Sequence, residues 1–273
     1  MSLGIAFKGP EGVVLAADSR VTLIRKLGNN ETIPATFDNA TKLLHVAGQN
    51  FVGVVTYGAG AIGQQQPRTA HSFLPEFENQ LQRDKVERLS VEDFSRRLSA
   101  FYMAQWSETM PGDYSGPDMT FLMGGYDADA AYGRIFQIDI PHKPDPKEWH
   151  VGDFGPVWGG QLQHANRLIH GFDPMLPSLL QELLGLSADK CEEIQKSLQS
   201  KLQAPIPFMF LPLQDCVDLS VFLIRTTIIM QTFMVDVRGV GGAIDVATIT
   251  RTEGFKPIQQ KKIIAQESPR GAI

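Results

Sequence analysis

Leu3-Gly4-Ile5-Ala6-Phe7-Lys8-Gly9-Pro10-Glu11-Gly12-Val13-Val14-Leu15-Ala16-Ala17-Asp18-Ser19-Arg20 decides the fold. Leu3, Ile5 and Phe7 alternate with small or polar residues, the pattern of a half-buried strand. Gly9-Pro10-Glu11-Gly12 is a turn signal, so the segment reads as a β-hairpin. Val13 to Ala17 is continuously apolar, as in a strand covered on both faces. It stops at Asp18-Ser19-Arg20, and charge at the tip of a buried strand requires partners, because unpaired buried charge is costly. Upstream stands Met1-Ser2. A small residue after the initiator suits methionine removal, which would leave Ser2 with a hydroxyl and a free α-amine on one residue.

The polar stretch Lys26 to Glu31, running into Ile33-Pro34, reads as a loop or ragged hairpin. Thr41 to Val46 and Phe51 to Tyr57 read as strands on either side of Gly48-Gln49-Asn50. Phe73, Phe77 and Leu81 mark a helix over 70–83. Ser90-Val91-Glu92-Asp93 opens a second helix, with Phe94, Leu98 and Phe101 as its apolar stripe. Strands return at 119–123 and 134–140. Gly159-Gly160 opens a helix over 163–170, whose His164 and His170 fall on different faces and read as surface residues, not metal ligands. Residues 173–214 contain two helices, 176–184 and 188–202, and 215–232 reads as a long, mostly buried helix. Ile244 to Ile249 is a late strand, and 256–273 reads as a polar C-terminal tail. Strands in groups, separated by helix pairs, argue for layered α+β with antiparallel sheets under helices.

Composition sets the outer limits. The 273 residues carry 43% hydrophobic and 20% charged side chains and a formal net charge of −5. With no lysine- or arginine-rich run, nucleic acid is not expected as a partner. Two cysteines form neither a disulfide framework nor a zinc-ligand spacing, which suits a reducing, cytoplasmic setting. The start lacks the pattern of a signal peptide. Residues 221–235, the longest apolar stretch, read as too short and too interrupted to span a membrane. Neither a metal nor a cofactor is expected.

Ala6-Phe7-Lys8, Gly12 to Arg20, Thr41-Lys42-Leu43-Leu44, Gly53 to Gly60 and Gly241-Gly242 together resemble the proteasome β-subunit family of N-terminal-nucleophile (Ntn) hydrolases. The likeness covers residues 2–255 as a single domain and is most specific in the first twenty. Laid on the family pattern without a gap, the nucleophile position falls on Ser2. The resemblance implies a four-layer αββα sandwich, peptide-bond hydrolysis and assembly into a homo-oligomeric ring; an unfoldase partner is not specified. It also implies roles for individual residues: Ser2 as nucleophile, with Asp18 and Lys42 as its charged neighbours and Arg20 as a structural charge behind them. The backbone N–H of Tyr57 or Gly58 would form the oxyanion hole. Val21, Val55 and Ala59 would line the pocket for the side chain preceding the scissile bond.

The chemistry is coherent. A serine hydroxyl is a weak nucleophile until a base takes its proton, and an α-amine titrating at about 7.7–8.0 can serve. Lys42 would favour the alkoxide, with Asp18 keeping the lysine charged. Three departures from the family pattern stand out. Serine replaces the usual threonine. Gly159 occupies the place of a conserved serine. In the later turn Asp236, which with Gly159 would give structural support, is one residue out of register, and Val240 takes another serine's place. The 21–41 segment and a helical insertion at 173–214 are longer than the family needs, which points to a divergent bacterial-type relative such as the Anbu group. Beside the peptidase reading stand two others: a catalytically silent, ring-forming scaffold, and a hydrolase of small-molecule amides. Asp18 with Arg20 also fits a purely structural ion pair at a strand end.

Overall fold

A computed structural model describes residues 2–26 and 32–262. Strands β1 (Leu3–Lys8) and β2 (Val13–Asp18) form the expected hairpin, closed by the Gly9 N–H donating to the Gly12 carbonyl at 2.9 Å. Strands β3 (Val21–Lys26) and β4 (Thr32–Phe37) make a separate two-stranded hairpin in the segment read as a loop or ragged hairpin; its connection, 27–31, lies outside the described residues. Then follow β5 (Leu43–Leu44), β6 (Val52–Gly58), α1 (Leu74–Arg83), α2 (Val91–Thr109), β7 (Met119–Gly125), β8 (Arg134–Ile140), β9 (Lys143–Trp149) and β10 (Gly155–Gly160). The remainder is α3 (Gln163–Ile169), α4 (Leu176–Leu184), α5 (Ala188–Leu202), α6 (Leu213–Phe233), β11 (Ile244–Thr250) and β12 (Gly254–Gln259).

Two five-stranded antiparallel sheets result, ordered β10-β1-β2-β11-β12 and β5-β6-β7-β8-β9. Period-two alternation assigns each side chain to a layer. Leu3, Ile5, Phe7, Val14 and Ala16 pack outward with Ala165 and Ile169 of α3 and Leu223 and Ile224 of α6. Ala6, Val13, Leu15 and Ala17 face inward, against Leu43, Val55, Leu122 and Ile135 of the second sheet. The outer face of that sheet meets α1 and α2 through Val54, Phe121, Phe77, Phe94 and Leu98. Helix, sheet, sheet, helix is the αββα order expected.

Six readings of the sequence need correction. β9, β10 and β12 were not anticipated as strands. β9 contains Pro144 and Pro146, which an edge strand accepts because one side needs no ladder bond. Gly159-Gly160 ends β10 rather than opening a helix, and Gly254–Gln259 pairs with β11, so the polar tail does not begin at 256. Helix α6 is not mostly buried. Its Cys216, Leu223, Ile224 and Thr227 pack inward, but Phe222, Ile229 and Phe233 are exposed. At 21 residues it is also long and apolar enough to cross a membrane, contrary to the reading of 221–235, although one face packs on the first sheet. His164 is buried, not on the surface.

Candidate active site

The hairpin brings a carboxylate and a hydroxyl to one point, and the second sheet brings a lysine to it. Asp18 ends β2 and is 1% exposed. Its carboxylate accepts from four donors. Oδ1 takes the Leu3 N–H at 3.0 Å and Lys42 Nζ at 2.7 Å; Oδ2 takes the Arg20 N–H at 3.1 Å and the Gly241 N–H at 3.0 Å. Four partners offset the cost of burying the charge. Lys42 precedes β5, and its carbonyl accepts the Thr56 N–H of β6 at 2.9 Å, so the second sheet sets its backbone. Its Nζ donates to Asp18 Oδ1, to the Arg20 carbonyl and, at 2.8 Å, to Ser2 Oγ. Those three acceptors match the three protons of an ammonium. Ser2 is 5% exposed, with its carbonyl held by the Gln161 N–H at 2.8 Å.

Asp18 does not set the ionisation of Lys42 alone. Burial pulls the lysine below its ordinary range and outweighs the upward push from Asp18, while Lys261 and Arg20 add to the lowering. The sequence-based view that Asp18 simply keeps Lys42 charged therefore omits the larger effect, desolvation.

The partner of Arg20 is Asp38. The guanidinium holds that carboxylate bidentately, Nε to Oδ1 at 2.6 Å and Nη2 to Oδ2 at 2.7 Å. Behind it, the 239–242 turn reaches the site through backbone. Gly241 N–H binds Asp18, the Gly241 carbonyl accepts the Ser19 N–H at 3.0 Å, and Gln231 Oε1 holds the Val240 N–H at 2.9 Å. Asp38 and Gln231 went unnoticed in the sequence: one stood in a presumed loop, the other in a helix that shows no periodic hint of a partner. Asp236, expected as structural support, lies exposed in a surface turn and caps its own neighbour, Val237 N–H.

A cavity of about 470 Å³ opens beside Ser2. Val21, Thr22, Thr56, Ala59, Met110 and Met119 contribute to its walls, and Lys42 is the one charged residue among the described lining. Val21 and Ala59 are among the residues that line it. Val55 is not: it is fully buried between the sheets, because alternation along β6 turns it inward. Tyr57 and Gly58 also line the cavity, with Gly58 at φ +88°. The next N–H, of Ala59, is committed to the Asp118 carbonyl at 2.8 Å, and ladder alternation turns the Tyr57 N–H to the same strand, opposite Thr120, which leaves Gly58 as the candidate oxyanion donor. Gly159 pairs with Gly4 across β10 and β1. A side chain there has no room, since a Cβ would lie 2.0 Å from the Tyr57 hydroxyl oxygen. Among the described residues no cluster of His, Cys, Asp and Glu has the makings of a metal site.

No family profile matches the chain. A proteasome subunit beta 2 from Thermomonospora curvata is 28% identical over 165 residues, 60% of this chain and 52% of that protein. The chain thus aligns with about half the length of that curated relative. The solved structure of an Anbu (Gly-1) mutant from Hyphomicrobium sp. strain MC1 superposes with a TM-score of 0.56 at 17% identity, covering 98% of this chain and 89% of that one. The chain is thus similar in fold to that Anbu structure and, over part of its length, similar in sequence to a proteasome β subunit.

Proposed function

We propose that the chain is an N-terminal-nucleophile peptidase that acts through Ser2 once Met1 is removed. The observation that carries this reading is the buried contact of Lys42 Nζ with both Ser2 Oγ, at 2.8 Å, and Asp18 Oδ1, at 2.7 Å, at the edge of the cavity. Ser2 Oγ attacks the carbonyl carbon of the scissile amide and its proton passes to the α-amine, which returns it to the leaving nitrogen. Lys42 stabilises negative charge developing on Oγ. The Gly58 N–H receives the oxyanion, a donor whose loss typically costs about 2.7–4 kcal/mol. Water then releases the acyl group from Ser2.

The cavity suits an uncharged, apolar side chain before the scissile bond: its walls are Val, Ala, Met and Thr, and no acidic residue lies among the described lining. A peptide or an unfolded protein is the matching substrate. Self-association into a ring accords with the exposed apolar residues on α4 and α6. Two buried, free cysteines accord with a cytoplasmic location.

Two measurements test the mechanism. Mass spectrometry of the purified chain is expected to show Met1 absent, and a peptide vinyl sulfone or epoxyketone to label the wild type but not Ser2→Ala. Retained Met1, or equal labelling of the variant, would remove Ser2 as the nucleophile. A second reading, a silent ring-forming scaffold, draws on the glycine at 159 and the displaced Asp236; it predicts assembly with no labelling at all. Comparing fluorogenic peptides with simple amides separates peptidase from small-molecule amidase.

A further inference from the structure

One wall of the cavity carries a phenol that the chemistry above leaves unused. Tyr57 leaves β6 on its inner face and crosses the gap to the first sheet. A Cβ on Gly4 would lie 2.7 Å from its ring Cδ1, and one on Gly159 2.0 Å from its Oη. The ring thus lies beneath β1, and the hydroxyl sits where β10 pairs with it. Ser2 and Gly4, two residues apart, face the same side of that strand. β10 also clamps Ser2 directly: Gly160 packs on its carbonyl with φ +98°, and Gln161 N–H donates to that carbonyl.

The phenol is the head of a polar chain across the second sheet. Thr120, its partner in the β6–β7 ladder, interacts with it, and Thr120 in turn donates to Asp139 Oδ1 at 2.7 Å. Asp139 accepts from Gln137 Nε2 at 2.9 Å, and Gln137 Oε1 from Trp149 Nε1 at 3.0 Å. Because the single Thr120 hydroxyl proton goes to Asp139, the phenol can only donate towards Thr120, which leaves its oxygen lone pairs for another donor. Burial, with Asp139 nearby, pushes its titration far above the ordinary range, so it acts as a fixed dipole and not as a base.

We propose that Tyr57 is a positioning residue whose phenol oxygen accepts a hydrogen bond from the Ser2 α-amine and orients it for proton transfer. This rests on the reading of Ser2 as nucleophile. It also explains why position 159 carries no side chain: a hydroxyl is already delivered there from the opposite sheet.

The test uses the full chain with Met1 removed and the variant Tyr57→Phe, which keeps the ring. Acetic anhydride, at a series of pH values, reads the titration of the amine by mass spectrometry. An acceptor favours the protonated amine, so its loss is expected to lower that midpoint, and to slow electrophile labelling by roughly tenfold, the scale of one hydrogen bond. An unchanged midpoint and rate overturn the proposal. Tyr57→Ala/Gly159→Ser returns a hydroxyl to the vacated place and is expected to label faster than Tyr57→Ala; equal rates would assign the ring's bulk, not its oxygen, as what matters. If the wild type with a free amine resists the electrophile, the nucleophile reading fails, while the amine titration still decides the role of Tyr57.

Discussion

At the scale of single residues, Lys42 joins the two halves of the candidate site, since its backbone belongs to one sheet and its ammonium to the other. Lys42→Met is expected to abolish labelling of Ser2, checked against the same electrophile. It should also change how stability depends on pH. The folded state depresses the lysine's titration, so between that lowered value and the ordinary 10.5 the unfolded chain holds a proton the folded chain lacks. Stability therefore rises with pH across that window, and denaturant melts should show Lys42→Met losing this rise. Asp18→Asn strands the lysine among apolar strands and is expected to cost about 3–5 kcal/mol in the same melts. Gly58→Ala meets both a left-handed backbone and the Asp118 carbonyl, with a Cβ 2.0 Å from that oxygen. A fall in the melting midpoint together with loss of labelling is expected, because the donor turn must shift.

At the scale of elements, strands and helices differed in how far they could be read from sequence. Helix α2 announced itself. Ser90 Oγ accepts the Asp93 N–H at 3.0 Å, and Ser90→Ala should cost about 1 kcal/mol in denaturant unfolding. Its aromatic stripe meets α1 where Phe77 packs on Phe101 at 5.2 Å between centroids and on Phe94 at 6.0 Å. Such contacts follow from periodicity alone. The three unanticipated strands, β9, β10 and β12, are all at sheet edges. Edge strands carry proline, glycine and charge because half of their backbone needs no partner. Lys143-Pro144-Asp145-Pro146-Lys147 has no strand propensity to read; its pairing with β8 is decided by the neighbour. β10 shows the consequence for the site, since it positions Ser2 from an edge that its own residues do not advertise.

At the scale of the whole molecule, helix α6 serves two surfaces. One side closes the first sheet, and the other leaves Phe233 at 79% exposure and Phe222 at 51%. Patches of this kind on a folded chain mark interaction surfaces. Phe233→Asp is expected to shift the sedimentation of the purified protein towards smaller species while leaving its circular dichroism unchanged; an unchanged distribution would place any assembly contact elsewhere. By itself the sequence determined the hairpin, the main helices, the layered α+β class and the candidate trio Ser2, Asp18 and Lys42, because alternation, capping and turn chemistry act over a few residues. Only the tertiary structure decided what surrounds that trio. Asp38 behind Arg20, Gly241 on Asp18, the burial that lowers Lys42 and the phenol of Tyr57 above Gly159 all depend on segments far apart in the chain, and which groups meet across two packed sheets is settled by packing. The first hairpin carries the carboxylate and the hydroxyl, and the opposite sheet supplies the lysine held against both.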